Sequence, residues 1–285
     1  MSKAATEGRN RQGRVRGTIP RLQAQRAHSA FLDAAQPDRA MVDVRTARQL
    51  VNRDETASSY LGADTTSIVT TTIPDEDLDR LTLDAELQIV TEFEPDFYLP
   101  ADAPTYTFDA PAQRVESVRE CMAGTTWIAE QGLSTEVIPL VKGVTAQERK
   151  ICYGMFDVLD ATQCGFYVGQ YFTGGDGVLK EQLVEDVTTV ANELEAADRD
   201  HELLVIGVLA PQTLKRLPDR VTAAAGLNTW RSEVEPRIRS DDAIRQRYEI
   251  VANLVESALG DGIRNGESEN EPKADQAAAR EAITD

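Results

Sequence analysis

The chain has 285 residues, 41% of them hydrophobic, with 48 acidic against 30 basic side chains and a formal net charge of −18. That is enough apolar material for a sizeable core. No stretch approaches the roughly 18 consecutive apolar residues that a membrane helix requires, so no membrane is expected. The opening segment MSKAATEGRNRQGRVRG has basic residues but no apolar h-region, so no secretory signal is expected there. Cys121, Cys152 and Cys164 have neither metal-ligand spacing nor the even count of a disulfide framework, so a reduced cytoplasmic setting without a metal is expected.

Only six of the basic residues are lysine. Abundant Asp and Glu with scarce Lys resemble proteins of salt-in halophiles, whose carboxylate-rich surfaces stay hydrated. At 1 M salt the screening length falls to about 3 Å, so the negative charge does not exclude a polyanionic partner.

Taken in chain order, residues 1–26 form a basic arm, with Lys3, Arg9, Arg11, Arg14, Arg16, Arg21 and Arg26 against Glu7 alone. Such an arm either contacts phosphate or is a solvated terminus. A barrel domain is expected over 27–260, although RVRGTIPRL (14–22) can also supply its first strand. Short apolar runs then alternate with amphipathic helices: AMVDVR (40–45), SIVTTTI (67–73), DFYLPAD (96–102), TEVIPLVKG (135–143), GFYVGQYF (165–172) and ELLVIGVLAP (202–211). Continuous apolar runs separated by helices predict parallel strands buried on both faces.

Helices are predicted over 112–132, from Thr145 (with Glu148 completing a capping box), over 178–199, over 211–225 between Pro211 and Gly226, and from Ser240 onward. LNTWRSE (227–233) reads as a further strand. Residues 261–285 read as a disordered polar tail. Seven or eight parallel strands predict a (β/α) barrel of the TIM type, and no GxGxxG follows any strand.

In such barrels the strands' carboxyl ends carry the site. Here those ends offer Asp102, Lys142 with Gly143, and Gln170 with Tyr171. Asp102 and Asp109 are either base readers or turn caps. A lysine ending an apolar strand calls for an anion or a carboxylate to meet. Arg231 beside Trp230 can bind phosphate or stack on a base, or pair with Glu233 or Glu235. The loop Thr173-Gly174-Gly175-Asp176-Gly177 can cradle a phosphate or be a plain turn. His28 and His201 lie away from the strand ends and have no assigned role.

The order PDFYLPADAP, IPLVKGVT, GFYVGQYFTGG, VIGVLAP, GLNTWRSE resembles the tRNA-guanine transglycosylase superfamily, and within it the DNA-modifying branch that inserts 7-deazapurines. The resemblance covers about half the chain. It implies base exchange on DNA or tRNA, with a 7-deazaguanine derivative replacing guanine through a covalent intermediate and without a cofactor. It further implies Asp102 as base reader, Gly143 and Gly207 lining the base site, and a nucleophile within 227–233. Arg231 occupies the nucleophile position, so Glu233 or Asn228 would have to substitute, and the general base falls to Asp33 or Asp43. The alternative is a non-catalytic barrel that binds nucleic acid or serves as a partner subunit. A homodimer or hetero-oligomer fits either.

Overall fold

The computed structural model describes residues 14–172, 179–234 and 239–259. The 173–177 loop, Glu235, the first residues of the basic arm and the tail 261–285 lie outside the described residues. Eight strands are present among them: β1 (Gly17–Leu22), β2 (Arg39–Asp43), β3 (Thr66–Thr70), β4 (Phe97–Leu99), β5 (Glu136–Val137), β6 (Gln163–Tyr167), β7 (Glu202–Ile206) and β8 (Val221–Gly226). All pair in parallel in the order β5-β4-β3-β2-β1-β8-β7-β6.

The two sheet edges are joined by a parallel bridge between Leu140 and Gly165. There the Gly165 N–H donates to Pro139 O at 2.9 Å and the Val141 N–H donates to Gly165 O at 2.8 Å. The result is a TIM-type α/β barrel with neighbours in chain order, as right-handed crossovers require.

The helices are α1 (Arg26–Ala35), α2 (Val44–Val51), α3 (Ala57–Leu61), α4 (Asp75–Leu78), α5 (Leu83–Phe93), α6 (Pro111–Ala129), α7 (Ala146–Val158), α8 (Lys180–Ala196), α9 (Pro211–Leu214), α10 (Asn228–Val234) and α11 (Asp241–Glu256). A 3-10 turn occupies Gly169–Phe172. The capping box at Thr145 forms, with its hydroxyl accepting from the Glu148 N–H and Glu148 accepting in return from the Thr145 N–H. Among the described residues no helix is long and apolar enough to cross a membrane.

Two segments differ from the sequence reading. The helix expected over 211–225 ends at Leu214, and VTAAAG forms β8, buried along its whole length. LNTWRSE, expected as a strand, is instead the helix α10, with Trp230 and Val234 buried. Alanine favours helices in isolation. Here Ala223, Ala224 and Ala225 pair with β1 and with the bulkier Leu204, Val205 and Ile206 of β7, so tertiary packing overrides propensity. The prolines at 100 and 139 are no conflict either, because regular pairing ends at Leu99 and Val137.

The arm boundary also moves. Residues 17–22 are β1, and the segment before it is stitched to the barrel. The Gln163 side chain accepts from the Val15 N–H and donates to Val15 O. Arg14 and Arg16 both donate to Glu202, which also accepts from Thr222. These two arginines therefore neutralise an internal carboxylate.

Candidate functional site at the barrel mouth

Strand register decides which side chains enter the barrel. The Tyr98 hydroxyl donates to Glu86 on α5, and the Thr18 hydroxyl donates to Ala252 O on α11, so both residues face the outer helices. Side chains alternate along a strand, and residues in register on neighbouring strands share a face. Leu99, Thr70 and Asp43 are in register, as are Arg21 with Met41, Ile19 with Ala225, Ala225 with Ile206, and Ile206 with Tyr167. All therefore point inward.

Deeper in the barrel the inward residues are apolar: Met41, Ile68 and Phe97 in one register line, and Leu204 with Ala223 in another. Gly165 leaves room there for Leu99, Leu140 and Ile206, whose side chains would crowd any Cβ at that position. Toward the carboxyl ends the lining turns polar, with Arg21, Asp43, Thr70 and Tyr167. The barrel is thus plugged below and chemically equipped above.

Arg21 is the cation of this mouth. Its side chain is 18% exposed. One nitrogen, Nη2, donates to Thr72 O at 2.7 Å and stands 3.8 Å from Asp43 Oδ2. Burial pulls the guanidinium below its ordinary value, with Asp43 as the main opposing charge and Tyr167, across the barrel, contributing. An arginine nevertheless stays charged, and its fork has five N–H donors. Among the described residues its protein acceptors fall well short of that number.

Asp43 caps α2, accepting from the Thr46 N–H at 2.8 Å, while Arg45 Nη2 donates to its other oxygen at 2.8 Å. Burial works to raise this carboxyl, but those hydrogen bonds and the charges of Arg21 and Arg45 outweigh it and hold it below the usual range. Arg45 reaches on to Asp77 of α4 at 2.6 Å. Thr70 and Thr72 share a hydroxyl contact of 3.0 Å beside this chain of charges.

The residues singled out from the sequence fall in several places. Asp102 and Lys142 meet, Nζ to Oδ1 at 2.6 Å, with side chains 8% and 13% exposed. Burial disfavours the ammonium, yet the Asp102 charge outweighs it and holds Lys142 above its ordinary value. The Asp102 N–H donates to Thr71, fixing the turn after β4. Close by, burial raises the Glu86 carboxyl despite hydrogen bonds from Tyr98 and the Ala101 N–H.

Asp109 also serves its own loop, accepting from the Tyr106 N–H. Tyr171 points to α8, donating to Asp186 at 2.5 Å, while Gln170 is exposed. Gly143 and Gly207 have φ of 108° and 120°, and a Cβ there would meet Glu148 and the Gly169 backbone respectively. Both glycines are explained by chain packing. Asn228, Arg231 and Glu233 lie exposed on α10, and Trp230 is buried against His28 and Phe31, which removes it as a stacking surface. Of these residues Asp102 and Lys142 are in contact, whereas Gln170 and Arg231 are exposed.

Of the two candidate general bases, Asp33 is exposed on α1 and Asp43 lies in the mouth. Among the described residues no group of three or more His, Cys, Asp or Glu could hold a metal ion. In the sequence reading Arg21 belongs to the basic arm and to the possible strand 14–22, with no site role. Its available signal was alternation, since it stands two residues after Ile19 in a buried strand. No protein-family model matches the chain, and no curated protein matches it.

Proposed function

We propose that this protein is a binding barrel whose carboxyl-terminal mouth holds a nucleotide unit, free or within nucleic acid, by its phosphate. The observation that carries this is Arg21: a guanidinium in the barrel interior with one backbone acceptor at 2.7 Å and one carboxylate only at 3.8 Å. A planar fork held this way suits the bidentate geometry of phosphate. Thr70 and Thr72 bring hydroxyls to the same rim, and Tyr167 faces them from β6.

The resemblance to deazapurine transglycosylases supplies the ligand class, and two features favour its non-catalytic form. The segment matched to that family's nucleophile, 227–233, carries Arg231 at that position, and Asn228 and Glu233, the residues that would substitute, are exposed on α10. Asp102, the expected base reader, is neutralised by Lys142.

The test is calorimetric titration of guanosine 5′-monophosphate in molar KCl. Losing a charge-assisted hydrogen bond costs about 1.5–3 kcal/mol, so Arg21→Gln should bind roughly tenfold or more weakly. Equal affinity in the variant ends this reading. Base exchange keeps one supporting observation, the Asp43 carboxylate facing the lumen. Incorporation of labelled guanine into tRNA or DNA by the wild-type protein, abolished in Asp43→Asn, would move the assignment to a transglycosylase that inserts a 7-deazaguanine-type base.

A further inference from the structure

Beside the mouth, which it joins through Arg45, the short helix α4 ties together two further features. On one side, Asp77 accepts from Arg45 at 2.6 Å and lines a cleft of about 210 Å³ between α2 and the α4 segment. Arg45, Arg48 and Arg80 line the same cleft, so three cations meet there in a chain whose net charge is −18. Arg45 Nε is buried there without a hydrogen-bond partner among the described residues. On the other side, two residues earlier, Asp75 accepts from the Tyr106 hydroxyl at 2.6 Å.

Tyr106 carries Phe108 stacked upon it, with ring centroids 5.0 Å apart and planes 8° from parallel. Phe108 is 82% exposed, the most exposed large apolar side chain among the described residues. A single exposed apolar residue needs no explanation. This one differs because its support is fixed. The Tyr106 N–H donates to Asp109, and Arg114 donates to Asp109 O and to Glu148, locking the loop onto α6 and α7.

We infer that this rim is a second subsite, at which a single nucleic-acid strand entering the mouth stacks a flanking base on Phe108 and lays backbone phosphate against Arg45, Arg48 and Arg80. The inference rests on the nucleotide reading of the mouth. The chemistry asks for a ligand with both an aromatic face and anionic charge, which a polynucleotide has in every unit. Base–aromatic stacking is sequence-tolerant, because every base has a π-face. Arginines at a cleft supply the salt-dependent part. Of the α4 carboxylates, Asp77 is paired with the Arg45 cation, whereas Asp75 accepts from the neutral Tyr106 hydroxyl and keeps its charge. Glu76 and Asp79 remain exposed and set a limit on affinity at low salt.

The test compares guanosine 5′-monophosphate with a fluorescein-labelled ten-residue oligodeoxythymidylate and its RNA counterpart, using wild type, Phe108→Ala, Arg48→Ala/Arg80→Ala and Arg21→Gln. Phe108→Ala should weaken either oligonucleotide about tenfold by anisotropy and leave the mononucleotide unchanged. The arginine pair variant should lower the slope of log affinity against log salt by roughly 1 to 2. Circular dichroism checks that these surface variants fold, and Phe108→Trp should retain binding and show quenched emission on saturation.

Oligonucleotide binding unaffected by Phe108→Ala overturns the rim while leaving the mouth. Phe108-dependent binding that ignores Arg21→Gln sinks the mouth and leaves the rim. No oligonucleotide binding by wild type, or preference for an arginine-rich peptide over the oligonucleotides, overturns the subsite.

Discussion

The Asp102 carboxylate and Lys142 ammonium are largely shielded from water and 2.6 Å apart, so each is the other's principal counter-charge. Removing one member of such a pair strands the other, at a cost of about 3–5 kcal/mol. Asp102→Asn should therefore lower stability in urea unfolding by that order. A double change, Asp102→Leu with Lys142→Met, should cost less than the single one. A single variant within about 0.5 kcal/mol of wild type would contradict the buried pair.

This bears on the sequence reading at the same scale. A lysine ending an apolar strand calls for an anion or a carboxylate, and of the two it is a carboxylate of the chain, Asp102, that meets it. Arg21 shows the converse. Charge counting placed it with Arg14 and Arg16, whereas only strand register separates it from them and turns it inward. Asp43 enters the sequence reading only as what the family resemblance implies for a general base; of its two arginine partners Arg45 is two residues on, while Arg21 reaches it only through the pairing of β1 with β2.

At the scale of elements, legibility followed the strength of local signals. The Thr145 capping box and the stripe expected from Leu179, Leu183, Val187, Val190 and Leu194 are local chemistry; the box forms and the last four of the stripe are buried on α8, while Leu179 is its exposed N-cap. β8 and α10 were exchanged because VTAAAG has no bulky alternation and NTWRSE lacks a helix cap. Their states are set by the flanking strands and by the bed that His28 and Phe31 make for Trp230. Closure depends on an equally quiet residue. Gly165 makes both bridge hydrogen bonds, and a Cβ there would stand 2.5 Å from Leu99 Cδ2 and 3.1 Å from Leu140 Cδ2. Gly165→Ala should overpack the barrel and lose about 1–3 kcal/mol in urea unfolding. An unchanged midpoint would mean the closing bridge is not tightly packed.

For the whole molecule, the barrel and its chain-order sheet were accessible from the βαβ spacing alone, since parallel strands joined by right-handed crossovers leave few alternatives. The charge has a physical consequence of its own. With 48 acidic side chains, the folded state is opposed by repulsion that salt screens. Circular dichroism should show weaker secondary structure and a lower melting temperature in dilute buffer than in molar KCl. Equal stability in both would remove the reason for treating the acidic surface as an adaptation to salt.

The same surface concentrates attention on the few cations that face inward. A crystal structure of the protein grown in molar KCl with guanosine 5′-monophosphate tests the central claim most directly. The account predicts a phosphate oxygen within about 3.2 Å of the Arg21 guanidinium at the mouth of the barrel. Nucleotide bound elsewhere, with Arg21 unchanged beside Thr72 and Asp43, would contradict it.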